Sequence, residues 1–160
     1  MARYSKIYNS VWSDPCFEGL SSEGKLLYLY LLTCPIGSSA GYFRLPAKQV
    51  AIDLDMTKAT ALELLTGEKR LWEYDENTNQ VFIRNYLKYN KLGGAKQMSN
   101  LNLQVKGLAD SPLHLGFVKA ARQYVGEDVI EYLDQTFLAC AKETALLTND
   151  TNILEYLKYI

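Results

Sequence analysis

Two short runs of aromatic and β-branched residues, LWEYD and VFIRN, flank a polar, Asn-containing turn between Leu71 and Asn85. Runs of this composition are typical of strands, and a polar Asn-rich connection favours a tight reversal, so the segment predicts a β-hairpin. A further short strand is predicted for YFRL, at residues 42–45. The sheet is therefore expected to be small, and the remaining segments are expected to be mainly helical.

Helix signals precede the hairpin in a definite order. Ser21 or Ser22 caps a first helix, whose segment KLLYLYLL is apolar on nearly every side and is therefore expected to be central. Pro46 starts a second helix, and Thr57 caps a third. The order of helix, strand, helix, helix, strand, strand is that of a winged helix-turn-helix whose wing is the hairpin.

Apolar residues at helical spacing continue beyond the hairpin. Ser111 and Pro112 begin one of these helices, and its buried face is predicted to hold Leu113, Phe117, Ala120 and Tyr124. We therefore expect a mainly α (α+β) protein in two parts. Residues 1–92 form the winged helix-turn-helix with its small β-hairpin wing. Residues 93–160 form a helical C-terminal extension for oligomerisation or partner docking.

The composition is that of a globular chain, with 48% hydrophobic and 22% charged residues. The cysteines Cys16, Cys34 and Cys140 are odd in number and widely separated, which favours reduced thiols over disulfides or a metal site. No signal peptide is recognisable, and the longest apolar run, LLYLYLLTC, is too short to span a membrane. We expect a cytoplasmic protein without membrane contact, in the host cell cytoplasm if it is phage-encoded.

Charge is unevenly distributed although the formal net charge is only −1. Residues 81–122 carry seven bases against one acid, and residues 127–160 carry seven acids against two bases. A basic middle and an acidic end fit a polyanion site beside a separate partner surface. Ordinary solvated helix faces are the competing interpretation, and composition alone favours it.

Catalytic chemistry has little support in the sequence. His114 is the only histidine, which excludes an HExxH zinc site and argues against a Ser–His–Asp triad. Its place in a first helical turn after Pro112 predicts a surface or half-buried position. Asp53 and Asp55 are interpreted as helix-terminal carboxylates rather than a magnesium pair. Since no P-loop and no GxGxxG motif is present, we expect no enzyme activity, no cofactor and no metal.

The third predicted helix occupies the place of a recognition helix but offers a weakly basic face. Glu63 lies at the centre of its outer face, which has no Asn or Gln, the residues that commonly read adenine. Lys58 and Lys69 are expected on its flanks, within reach of phosphates. The candidate DNA contacts on this helix are Lys58, Thr60, Lys69 and Arg70.

The segment RNYLKYNK after the hairpin is the strongest basic feature. If a helix begins at Arg84 or Asn85, then Arg84, Lys88 and Lys91 share one face. Basic residues that alternate with aromatic ones suit DNA, because the basic residues can contact phosphates and the aromatic rings can stack on nucleobases. The candidate DNA contacts here are Arg84, Lys88, Tyr89, Lys91 and Lys96. An equally strong interpretation is that these lysines are ordinary solvent-exposed surface residues without a DNA contact. The acidic hairpin tip, with Asp75 and Glu76, would repel phosphates.

Three stretches carry a family resemblance: MARYSKIYNSVWSDPCFEGLSSEGKLLYLYLLTCP, GYFRLPAKQVAIDL and VFIRNYLKYNK. Together they cover about residues 1–92 and resemble the N-terminal winged-helix domain of phage replisome-organiser (replication initiation) proteins, relatives of DnaD-type primosome proteins. The resemblance implies binding of DNA at an origin, self-association into a homo-oligomer, and transfer of the DNA to a helicase loader or helicase.

A second class of function stays open beside replication initiation. The near-neutral charge, the acidic hairpin tip and the 12 tyrosines also suit a winged-helix protein–protein interaction module acting on a host protein. A transcriptional regulator with little DNA affinity belongs to the same alternative. The candidate partner-binding residues are those of the last predicted helix: Tyr156, Leu157 and Tyr159.

Overall fold

A computed structural model of the protein describes residues 5–67, 70–90, 107–108 and 111–124. Within them the chain is a mixed α+β fold with a small antiparallel sheet. A 3-10 helix, Asn9–Ser13, precedes the α-helices. The α-helices are α1 Pro15–Glu18, α2 Ser22–Thr33, α3 Ala47–Asp53, α4 Lys58–Gly67, α5 Tyr86–Tyr89 and α6 Leu113–Ala121. The strands are β1 Tyr42–Arg44, β2 Trp72–Asp75 and β3 Gln80–Ile83.

The predicted helix caps are largely confirmed. The Ser21 hydroxyl accepts a hydrogen bond from the Gly24 amide at 3.0 Å and thereby caps α2. The Thr57 hydroxyl accepts from the Thr60 amide at 3.1 Å and caps α4. Pro46 directly precedes α3 as its N-cap and does not occupy the first turn. These bonds satisfy amides that a helix start otherwise leaves without partners.

The three strands form an antiparallel sheet in the order β1-β3-β2. Phe82 of β3 lies opposite Tyr42 of β1 and Glu73 of β2. The predicted hairpin is therefore confirmed, and the strand predicted at residues 42–45 is present as β1, which pairs with β3. All four residues of the central strand are buried. Burial on both faces explains why VFI is a continuous apolar run rather than an alternating one.

The first face of the sheet packs against the helices that precede the hairpin. Phe17, Leu27 and Leu65 meet the sheet residues Val81 and Ile83 in one cluster. Trp72 fixes the end of α4 to this cluster, since its indole Nε1 donates to the carbonyl oxygen of Leu65 at 3.0 Å. As predicted, α2 is central, with Leu27 and Leu31 almost completely buried.

The second face of the sheet is covered by α6. Phe117 stacks on the Tyr42 ring at 5.2 Å between centroids and meets Phe82 edge-on at 5.9 Å. The Tyr42 hydroxyl lies 2.5 Å from the side-chain oxygen of Gln80 and 2.7 Å from the carbonyl oxygen of Leu108. The part of residues 93–160 that the structure describes thus packs directly on the sheet of the N-terminal part.

His114 is fully buried, and the prediction of a surface or half-buried position is wrong. Its ring lies 6.1 Å from the Tyr42 ring and 6.3 Å from the Phe117 ring, so α6 presents it to the sheet. Burial lowers the pKa of His114 to about 4, because the charged imidazolium is poorly solvated there. Among the other predicted face residues, Phe117 is buried, and Leu113, Ala120 and Tyr124 are half-buried.

None of the described helices has the length and apolar character needed to cross a membrane.

The buried imidazole predicts a loss of stability in acid. Because the folded pKa of His114 is about 4 and the unfolded value is near 6.5, its contribution is fully present above pH 6.5 and is lost as the pH falls towards 4. We expect His114→Gln to show an unfolding free energy that falls by about 2–3 kcal/mol less between about pH 7 and pH 4.5 than that of the wild type. Urea unfolding at several pH values measures this difference. Equal pH dependence in the two proteins would contradict the assignment.

Candidate nucleic-acid interface

The short helix α5 presents its exposed side chains where β3 leaves the sheet. Asn85 adopts the left-handed conformation, with φ 56°, and so turns the chain between the strand and the helix. Leu87 is buried in the cluster beneath α6 and anchors α5. With Leu87 pointing inward, Lys88 and Tyr89 lie on the exposed side. The local turn and one apolar anchor thus position both residues.

Arg84 lies outside this helix, so the prediction that a helix beginning at Arg84 or Asn85 aligns Arg84 with Lys88 is wrong. It directly follows β3, and its amide donates to the carbonyl oxygen of Leu71 at 2.9 Å. Its guanidinium Nη2 lies 2.8 Å from the carboxylate Oε1 of Glu73 on β2, and the Arg84 side chain is 48% exposed. A half-exposed ion pair adds little stability, but it neutralises much of the charge that Arg84 would offer to a phosphate.

Two tyrosine rings form an exposed pair beside α5. Tyr8, just before the 3-10 helix, is 50% exposed, and Tyr89 is 45% exposed. Their ring centroids are 5.6 Å apart at an interplanar angle of 44°, and the Tyr8 hydroxyl lies 3.5 Å from the carbonyl oxygen of Tyr89. The Lys88 ammonium sits 5.4 Å from the centroid of the Tyr89 ring. A cation beside two accessible rings is a combination that suits nucleic acid.

A cleft opens between the N-terminal segment, residues 6–14, and α5. Its empty volume, which includes space open to solvent, is about 500 Å³. Tyr28 lines it together with Lys6, Tyr8 and Tyr89. Burial, with Asp14 and Tyr89 nearby, raises the pKa of Tyr28 to about 12, so this phenol stays protonated at neutral pH. The other lining residues are mainly polar or aromatic: Ile7, Ser10, Val11, Asp14, Leu32, Asn85, Tyr86 and Asn90.

The residues predicted on the third helix lie apart from this cleft. Lys58 is exposed in the first turn of α4, and Thr60 is half-buried, with its hydroxyl 2.8 Å from that of Thr57. Arg70 is exposed between α4 and β2. Thr60 also borders a groove between α4 and the start of α2 that carries two carboxylates, Glu23 and Glu63. The groove beside α4 is therefore a less favourable phosphate surface than α5.

The remaining predicted site residues fall outside the described part of the chain: Lys69, Lys91, Lys96, Tyr156, Leu157 and Tyr159.

The acid at the hairpin tip has a structural role. The Asp75 carboxylate accepts hydrogen bonds from the hydroxyls of Thr78 at 2.6 Å and Ser111 at 2.8 Å, and from the Asn77 amide at 3.1 Å. Burial acts to raise its pKa, but these bonds outweigh it and hold the pKa below the usual value. Asp75 therefore closes the turn and joins the hairpin to the start of α6, which accounts for an acid at this position.

The sequence prediction missed the N-terminal contribution to the interface. Lys6 and Tyr8 line the cleft, and Trp12, four residues after Tyr8, is 59% exposed. The segment YSKIYNSVW interleaves a lysine with aromatics in the same manner as RNYLKYNK. That composition could have indicated the site, but contact with α5 requires residues more than 70 positions apart to meet.

In the described residues, no group of three or more His, Cys, Asp or Glu side chains is arranged to hold a metal ion. Comparisons with protein-family models, with curated proteins and with solved structures found no match to this chain.

The close approach of Gly41 to Tyr86 generates a test of how α5 is positioned. Gly41 has φ +68°, and a Cβ there would lie 2.5 Å from the Cβ of Tyr86. We expect Gly41→Ala to lower the unfolding free energy by about 2–4 kcal/mol, because it combines left-handed strain with a backbone-proximal clash. Urea unfolding measures the loss.

Gly67→Ala is the matched control. Gly67 ends α4, and a Cβ there would meet no described atom within 4 Å. Replacing this glycine is expected to leave stability unchanged or to raise it by up to about 1 kcal/mol. A Gly41→Ala protein as stable as the control would show that Tyr86 and α5 can move without cost.

Proposed function

We propose that this chain is a winged-helix DNA-binding protein that acts in the initiation of phage or prophage DNA replication. The observation that carries the proposal is the exposed cluster of Lys88, Tyr89 and Tyr8. Positive charge beside accessible rings suits nucleic acid, because cations neutralise phosphates and aromatic faces stack on bases. Lys6 adds a second cation at the same cleft.

The element order supports a winged helix as the scaffold. Two consecutive helices, α3 and α4, precede the hairpin β2–β3, and β1 pairs with the hairpin from the other side. This is the order expected of a winged helix-turn-helix. Self-association and transfer of DNA to a helicase loader or helicase belong to the proposal through the family resemblance. Tyr156, Leu157 and Tyr159 remain its candidate partner-binding residues.

The proposal places DNA at the exit from the hairpin and not at its tip. Asp75 at the tip is engaged with Thr78 and Ser111, and α6 covers one face of the sheet. Among the described residues, the exposed cations on the α5 side are Lys6, Lys88 and the partly compensated Arg84. Lys58 on α4 and Arg70, between α4 and β2, would contribute if a duplex reached that far, with Glu63 opposing them.

A protein–protein interaction module is the second candidate. The observation that favours it is the groove between α4 and the start of α2, which is lined by two carboxylates, Glu23 and Glu63, that would repel phosphates. Stable complex formation with a host protein, together with no binding of single-stranded or duplex DNA at low salt, would support this candidate and overturn the first.

Lys88→Ala tests the first candidate. Each phosphate contact releases counterions from the DNA when the protein binds. Loss of the Lys88 contact reduces the number released, so the slope of log affinity against log salt should become shallower by about 0.7–0.9. Fluorescence anisotropy with single-stranded and duplex DNA between about 50 and 200 mM salt measures this slope. Lys119→Ala, an exposed lysine on α6, is the matched control and should keep the wild-type slope. Equal slopes for the wild type and both variants would show that Lys88 does not contact DNA phosphates.

The ion pair between Arg84 and Glu73 generates a second prediction. Glu73→Gln keeps the side-chain shape but releases the Arg84 charge, so DNA affinity at low salt should rise by roughly two- to fivefold. The double variant Glu73→Gln with Arg84→Ala should lose that gain. An unchanged affinity in Glu73→Gln would show that Arg84 does not face DNA. The fold should tolerate the change because a half-exposed pair contributes little stability.

A further inference from the structure

We propose that the cleft between the N-terminal segment and α5 binds an unpaired base of single-stranded DNA, with the base stacked on the Tyr8–Tyr89 pair and the flanking phosphates on Lys6 and Lys88. This inference rests on the proposed DNA-binding function and specifies its substrate. It depends on three features of the cleft: accessible rings, a polar lining and cations beside it.

The two rings leave a stacking surface open. The Tyr8 and Tyr89 ring planes are inclined to each other at 44°, and about half of each residue stays exposed. Tyrosine is a large, semi-rigid aromatic group, so little conformational freedom is lost when a base stacks on it. Stacking is tolerant of base identity because every base has an aromatic face.

The lining of the cleft offers hydrogen-bonding groups to the edge of a base. The Asn85 and Asn90 side chains carry both donors and acceptors, and Tyr28 and the acceptor Asp14 line the same cleft. Asn90 is already oriented, since its side-chain amide donates to the carbonyl oxygen of Tyr86 at 3.2 Å. A lining of this kind can hold a base that enters edge-on after stacking against a ring.

The need for an accessible base face favours a single strand over a duplex. A base in a duplex has both faces covered by its neighbours and shows only its edges in the grooves. Tyr8 and Tyr89 can therefore stack only on a base that is unpaired. Lys88 lies beside the Tyr89 ring and Lys6 at the cleft, where phosphates on either side of the inserted nucleotide can reach them. This arrangement separates the base contacts from the phosphate contacts.

The test compares oligo(dT), an abasic oligonucleotide of equal length and a duplex, each bound to the full chain in fluorescence anisotropy. The abasic strand keeps the phosphates but has no bases to stack. We expect the wild type to bind oligo(dT) roughly 5- to 100-fold more tightly than the abasic strand, as stacking of one or two bases would give. This comparison uses the wild type alone and does not depend on the stability of any variant.

Variants then assign the base contact to the cleft. Tyr89→Ala and Tyr8→Ala should each remove most of the preference for oligo(dT) and leave abasic binding nearly unchanged, whereas the Phe variants at both positions should keep the preference. Lys88→Ala should weaken both strands to a similar extent, because it removes a phosphate contact. Ile52→Ala, which removes an exposed apolar side chain on α3, is the matched control and should change neither.

Three results would overturn the inference while the proposed function stands. The first is equal wild-type affinity for oligo(dT) and the abasic strand, and the second is an equal loss on both strands in the Tyr→Ala variants. The third is tight binding of the duplex alone. Failure to bind any of the three DNAs at low salt would overturn the proposed function together with this inference.

Discussion

The four residues of β3 are buried, and alternate side chains along the strand enter two different clusters. Val81 and Ile83 face the helices that precede the hairpin, and Phe82 faces α6. Because successive strand residues point to opposite sides, a shift of one residue in register would exchange the contents of both clusters. The central strand thus fixes where α1 to α4 and α6 meet. It also fixes the position of α5, which follows directly after its end.

The candidate interface lies directly downstream of this constraint. The left-handed Asn85 turns the chain out of the sheet, Leu87 returns to the second cluster, and Lys88 and Tyr89 are left facing solvent. Gly41 permits Tyr86 to sit against the backbone next to β1, where a larger residue would collide. The exposed residues are held on a helix of only four residues, but its Leu87 packs with the buried sheet residues Tyr42 and Phe82, which is the kind of support a binding surface needs.

Electrostatics at the hairpin differ from what linear charge counts indicate. Arg84 belongs to the basic stretch in the sequence, but Glu73 on the neighbouring strand compensates it. From the sequence, Asp75 is expected to repel phosphates at the hairpin tip. In the structure its carboxylate accepts hydrogen bonds from Thr78 in the turn and from Ser111 at the start of α6. Charge along a sequence cannot show such pairs, since they form between residues that only strand pairing or helix docking brings together. Within the described residues, the exposed cations beside the cleft are therefore Lys6 and Lys88, together with the compensated Arg84.

The amino-acid sequence by itself determined the local elements: the capped helices, the hairpin and its order along the chain, and the central position of α2. These depend on short-range signals, namely side-chain caps, apolar periodicity and turn residues. Only the tertiary structure decided that α6 buries His114 against Tyr42, that Arg84 stands before the helix rather than on it, and that Tyr8 meets Tyr89 across the cleft. Each of these depends on contacts between distant segments, and local propensity carries no information about which distant surfaces will meet.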